Sequence, residues 1–309
     1  MMILKRLRAY ANKAPILARV QLDKWTRTQW PQPRPSGASS RVAVAFVSYN
    51  TAELTAHLLF SLFRILGREQ LARVVAVDNA SIDGSRELLG AFHRRGLIDL
   101  VANEAQHYHG PGLNQAINHL AVVRESDATD PFDYIWVLDS DVLVLSKDAY
   151  VAARDFLETQ RAAAVGEFQY DEFEDGYAHV SSLLIDPSKT WRGPVDPFDN
   201  SGSPAKQFHI SVRRHGMRIG DFPFRSRNYV LHLGRGTVMT VVASGDASNQ
   251  HYADAKKYNR TSYHFHGNEN GELIYSKFLS VFRREVGEGY DPAALVEACE
   301  KPELLSLVL

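Results

Sequence analysis

The stretch "WVLDSDVLVL", residues 136–145, decides the reading of this chain. Its apolar, β-branched flanks are those of a strand buried on both faces. Asp139 and Asp141 nevertheless sit inside it, one residue apart. Two carboxylates this close repel each other, and an unpaired buried carboxylate is costly. A partner or a cation is needed to make them tolerable.

The sequence before this stretch alternates strand and helix patterns. "RVAVAFVSYN" (41–50) is a buried strand ending in a polar loop, and 53–66 has helical periodicity. "LARVVAVDNAS" (71–81) is a second strand, followed by a helix over 83–96 that Gly96 stops. "IDLVANE" is a short third strand, 110–126 a third helix after a Gly-rich turn, and 132–145 the fourth strand. Such alternation predicts an α/β fold with a mostly parallel sheet and right-handed crossovers. In open sheets of this kind ligands gather at the carboxyl ends of the strands. Those ends carry Ser48, Tyr49, Asn50, Asp78, Asn79, Asn103, Asp139 and Asp141. The two aspartates therefore sit where such a fold places its ligand. A divalent cation with a phosphorylated ligand would offset their charge, since Mg²⁺ and Mn²⁺ favour carboxylate oxygens. A solvated pair at a strand end is the alternative. Asp78 has two readings as well, a base or ribose contact or a helix cap. Neither a G-x-G-x-x-G after the first strand nor a G-x-x-x-x-G-K-[ST] is present. A standard dinucleotide enzyme and a P-loop NTPase are thereby disfavoured.

The 309 residues suffice for one large or two modest domains. With 45% hydrophobic and 23% charged residues, the composition is that of an ordinary globular protein. A formal net charge of −1 argues against nucleic acid as a partner. The single cysteine, Cys299, excludes an intrachain disulfide framework and a Cys-based zinc site, and suits the cytoplasm. No apolar run is long enough to cross a bilayer, and no signal-peptide pattern opens the chain. The first 40 residues stand apart. Lys5, Arg6, Arg8, Lys13, Arg19, Lys24, Arg27 and Arg34 face only Asp23, with apolar residues at roughly helical spacing between them. Residues 1–30 thus suit peripheral contact with the inner face of an anionic membrane. They equally suit a helix packed on the domain or on a second subunit, and 31–40 reads as a linker.

Four pieces in order, "VSYN", "VDNASIDGS", "N-x6-GPGLNQAIN" and "VLDSDV", resemble a family 2 glycosyltransferase of the GT-A fold. The resemblance is good over 41–145 and looser beyond. It implies a metal-dependent transferase that moves a sugar from a nucleotide-diphosphate sugar to a glycan or lipid-linked saccharide, with inversion. By this resemblance Ser48, Tyr49 and Asp78 contact the nucleoside, with Asn50 and Asn79 beside them. Asn114 and Asn118, with Gly110 of the Gly-rich turn, line the sugar-nucleotide cleft. Asp139-Ser140-Asp141 matches the Asp-x-Asp motif: Asp139 faces ribose, donor sugar and metal, and Asp141 ligates Mn²⁺ or Mg²⁺. His232, on a strand closing in "HLG", becomes a third metal or diphosphate contact; otherwise it is a strand-end histidine.

One departure stands out. The family's inverting members place a Glu-Asp pair at the start of the amphipathic helix that ends at Gly216, and its Asp is the general base. Here those positions are Pro204 and Ala205. Asp199 just upstream is the candidate base, or else a helix cap. The missing pair also admits a GT-A protein that binds nucleotide sugar without efficient transfer; a nucleotidyltransferase is a third reading. The expected organisation is 1–40 as the basic segment, 41–240 as the transferase domain and 241–309 as a lid loop and C-terminal helices. Within the domain, 41–145 serves the donor and 146–240 the acceptor. His264 and His266 lie in the polar loop, and the last helices pack on the domain or form a homo-oligomer contact.

Overall fold

A computed structural model describes residues 30, 41–126, 132–170, 176–191, 195–199, 204–234, 263, 265 and 267–306. The basic residues of the N-terminal segment, most of the expected lid loop, His264 and His266 lie outside the described residues.

A seven-stranded sheet forms the centre, in the order β3-β2-β1-β4-β7-β6-β8. The strands are β1 (Val42–Ser48), β2 (Leu71–Asp78), β3 (Asp99–Ala102), β4 (Ile135–Asp139), β6 (Ala164–Gln169), β7 (Tyr177–Ile185) and β8 (Ile219–Asp221). β3, β2, β1 and β4 pair in parallel, and β8 is parallel to β6. β7 alone is reversed, antiparallel to both β4 and β6. The helices are α1 (Ala52–Ser61), α2 (Ser85–Arg94), α3 (His109–Ser126), α4 (Ala149–Thr159), α5 (Pro187–Thr190), α6 (Pro204–Arg214), α7 (Gly271–Val286) and α8 (Pro292–Glu300).

The apolar runs have a direct physical reason. Along β1, Val42, Val44 and Phe46 enter one hydrophobic cluster, while Ala43, Ala45 and Val47 enter the other. Side chains alternate across a strand, so a strand covered on both faces must be apolar at every position. The first cluster includes Leu58 of α1, Leu88 of α2 and Phe278 of α7, and the second Leu113 of α3 and Phe208 of α6. The C-terminal helices pack on the domain. His57 of α1 meets Phe282 of α7 edge-on at 4.6 Å, and Cys299 of α8 is buried.

Two expectations change. The helix expected over 53–66 is α-helical only to Ser61 and finishes as a π-helical turn over Leu62–Leu66. The fourth strand is two strands. β4 stops at Asp139, the chain turns at Ser140–Asp141, and β5 (Val142–Val144) leaves the main sheet to pair antiparallel with β9 (Val230–His232). The carboxylates occupy the break between two sheets, where the ladder does not require apolar side chains. Among the described residues, no helix is long and apolar enough to cross a membrane.

Candidate active site

The β5–β9 register explains how distant residues meet. His232 pairs with Val142, and the Leu233 N–H donates to the Asp141 carbonyl at 3.0 Å. His232 Nε2 consequently lies 3.4 Å from Asp141 Oδ1 and 3.8 Å from Asp139 Oδ2. One ligand atom each from Asp139, Asp141 and His232 falls within a 4.8 Å group. On the other side, His109 at the start of α3 brings Nε2 to 3.4 Å from Asp139 Oδ1. That oxygen is buried and makes no hydrogen bond among the described residues.

Electrostatics at this group are tense. Burial pushes the Asp139 carboxyl up, and Asp141 adds to the shift, while His109, His232 and Arg225 oppose it. Burial works against the His232 cation, but Asp141 and then Asp139 outweigh it, and its pKa is raised. Two carboxylates and one imidazole, with a buried oxygen lacking a hydrogen bond, form a donor set that Mn²⁺ or Mg²⁺ fits. Such an ion would leave coordination positions for ligand oxygens.

The first loop is tied to this group. Ser48 Oγ lies 3.2 Å from Thr51 Oγ1 and 3.0 Å from Thr55 Oγ1, and Thr51 Oγ1 donates to Ser140 Oγ at 3.1 Å. Asn50 adopts a positive φ of 51° and accepts from the Ile82 N–H at 2.8 Å. Asp83 joins two helix starts, accepting from Ala52 N at 2.8 Å and Ser85 N at 3.1 Å. Backbone donors at helix starts otherwise lack partners. Tyr49 is half-buried beside these residues.

Several expected contact residues have their polar atoms engaged by the protein. Asp78 is fully buried and accepts from Arg86 Nε at 2.8 Å and from Ser81 N at 3.4 Å. Asn79 accepts from His107 N at 2.8 Å and donates to the His107 carbonyl. Asn118 Oδ1 accepts from Trp191 Nε1 at 3.2 Å. Asn114 grips the main chain of Phe198: its Nδ2 donates to Phe198 O at 2.9 Å, and Phe198 N donates to its Oδ1 at 3.0 Å. Gly110 meets the next residue, because a Cβ there would lie 2.2 Å from the Asp199 carbonyl oxygen. Asp199 is thereby held against the first turn of α3, one residue from His109. From the far side, Ser211 of α6 accepts from Asp196 N at 2.8 Å, and Phe208 stacks on Phe198 at 4.8 Å. Pro204 and Ala205, at the start of α6, are buried.

Sequence reasoning missed three neighbours of the group. His109 was readable as a polar residue next to Gly110. His179 of β7, with its ring 5.3 Å from that of His232, lies within an apolar strand pattern that gives no signal. Arg225, 8% exposed, lies 3.4 Å from Glu167 through Nε, and its charge reaches both Asp139 and His232. Only the packing of the β8–β9 connection onto β6 places it there.

The sequence profile described as Glycosyl transferase family 2 matches residues 43–222, more than half of the chain. No curated protein sequence matches it. Among solved structures, the mannosyltransferase PcManGT from Pyrobaculum calidifontis, in complex with GDP-Man and Mn²⁺, gives a TM-score of 0.49 at 20% identity, covering 94% of this chain and 89% of that one. TarS 1-349 from S. aureus, in complex with UDP-GlcNAc, gives 0.42 at 14% identity, over 55% of this chain and about half, 52%, of that chain. Glucosyl-3-phosphoglycerate synthase from Mycobacterium tuberculosis, in complex with Mn²⁺ and UDP-glucose, gives 0.40 at 13% identity, over 66% and 71%.

Proposed function

The chain belongs to glycosyl transferase family 2 and is a glycosyltransferase of the GT-A fold; we propose that it transfers a sugar from a nucleotide-diphosphate sugar to a hydroxyl of a glycan or lipid-linked saccharide, with inversion. The observation that carries this reading is the group Asp139, Asp141 and His232 at the carboxyl end of β4. In this reading these three side chains hold Mn²⁺ or Mg²⁺. The ion supplies positive charge against the leaving nucleotide diphosphate. Residues 41–145 serve the donor, with Ser48, Tyr49 and Asp78 on the nucleoside side, and 146–240 serve the acceptor. Asp199 takes the proton of the acceptor hydroxyl as its oxygen bonds to the anomeric carbon and the bond to the diphosphate breaks.

A screen of sugar nucleotides for thermal stabilisation, with and without Mn²⁺, tests this, because a ligand of the native state raises apparent stability by mass action. Stabilisation by at least one sugar nucleotide that needs the metal is expected. Absence of stabilisation across all of them rejects the reading. A second reading is favoured by Pro204 and Ala205, which offer no carboxylate at the helix start: donor binding without efficient transfer. Metal-dependent donor binding with no turnover onto any saccharide acceptor selects it.

A further inference from the structure

The amino-terminal edge of the sheet, opposite the site described above, carries a cavity of ≈ 200 Å³. Arg41 just before β1, residues 71–74 at the start of β2 and residues 96–99 leading into β3 bound it. The length of β2 separates it from Asp78, roughly 20 Å away at a strand rise of about 3.3 Å per residue. Three arginines, Arg41, Arg68 and Arg73, line the cavity, and Asp99 is the one carboxylate among the described lining residues. Asp99 Oδ2 lies 3.9 Å from Arg73 Nη1 and 3.3 Å from His119 Nε2, so Arg73 shares it. Glu69, next to Arg68, is turned towards Gly67 instead. The apolar lining residues Phe63, Leu97 and Ile98 are buried, whereas Arg41 and Arg73 are half-buried and Arg68 is exposed. Fixed positive charge thus gathers on the solvent side of an apolar hollow.

We infer that this cavity is a second ligand site, for a phosphate-bearing anion, either a small soluble phosphate or the phosphate of a lipid headgroup. Three guanidinium groups and one carboxylate leave an excess of two positive charges in the lining. A phosphomonoester carries a charge of about −1.5 to −2, which matches that excess. Guanidinium forks donate paired N–H bonds to phosphate oxygens, and a phosphate has enough oxygens to engage more than one arginine. Like charges around one hollow repel each other, and a bound anion relieves that repulsion. Size narrows the class further. Pockets for drug-sized ligands measure about 300–1,000 Å³, so this one is too small for a nucleotide sugar. A single water needs only about 10–15 Å³, so a phosphate with a small organic part fits. The inference is independent of the transferase reading, because the cavity lies at the other end of the strands.

Two arms test this on the full chain. One is titration calorimetry with inorganic phosphate and with pyrophosphate, in EDTA and at about 0.15 M salt, where non-specific surface attraction is screened. The other is co-sedimentation with phosphatidylcholine vesicles, with and without phosphatidic acid. Saturable binding in at least one arm is expected. Arg68→Ala should weaken it about tenfold or more, as for the loss of a hydrogen bond to a charged group. Arg68 is exposed, so this variant should melt as the parent does. Arg73→Gln should weaken binding similarly, whereas Asp141→Ala should not. Binding of the soluble phosphates alone identifies a small-molecule ligand. Binding to phosphatidic acid vesicles alone, lost in Arg68→Ala, identifies a lipid headgroup, and binding in both arms shows that the phosphate group suffices. Three results overturn the inference: no binding in either arm, parent-like binding by both arginine variants, or loss of binding in Asp141→Ala, which would put the anion at the carboxyl end of the sheet.

Discussion

Gly110 and Asp199 are in backbone contact, and a methyl group at position 110 would lie 2.2 Å from the Asp199 carbonyl oxygen. Glycine at 110 is therefore required by the approach of another chain segment. Gly110→Ala must push the 195–199 segment away, against the two hydrogen bonds by which Asn114 holds Phe198. We expect a loss of about 1–3 kcal/mol, as for an overpacked core. Transfer should fall more than nucleotide affinity, because the displaced residue is the proposed base. Melting curves and the ratio of transfer rate to donor affinity measure both effects.

Asp141→Ala should abolish the Mn²⁺-dependent part of nucleotide stabilisation. Without metal the variant loses both the repulsion with Asp139 and the pairing with His232, so its melting temperature should stay near the parent's. Thermal melting with nucleotide, with and without Mn²⁺, reads both. Equal stabilisation of variant and parent removes Asp141 from the metal site.

Asp199→Asn keeps the shape of the side chain and removes its proton acceptor. If Asp199 is the base, donor affinity and melting temperature stay near the parent's while transfer falls roughly 10²–10⁴-fold. Undiminished transfer sends the search for the base to Asp196.

His57 supplies a pH dependence remote from the site. Burial, aided by Arg283, lowers its pKa to about 3 from an ordinary value of 6.5. It is packed edge-on against Tyr275, Phe278 and Phe282 of α7. Between these two pKa values the unfolded chain binds a proton that the folded chain does not. The contribution of His57 to stability therefore falls as pH drops from 6.5 towards 3, by up to about 1.4 kcal/mol per pH unit. His57→Phe should flatten this part of the stability curve, measured by denaturant melts across that range. An unchanged slope would assign the acid sensitivity to other groups.

The sequence by itself determined the α/β class, the parallel half of the sheet and the location of the Asp139–Asp141 pair. Those follow from local patterns: strands apolar at every position, helices between them, and polar residues at strand ends. The membership of the site was decided by tertiary structure. His232 reaches Asp141 because β5 leaves the main sheet and pairs with β9, a register that no local pattern encodes. The side chains of Asn114 and Asn118, expected to line the cleft, bind Phe198 and Trp191, partners that no local pattern names. Asp78, expected on the nucleoside side, is buried and paired with the more exposed Arg86, a partner that the strand pattern does not name. Periodicity reports which face of an element is covered; it does not report which distant segment covers it. The partners of a buried polar group are chosen by that covering segment, so they became visible only in the fold.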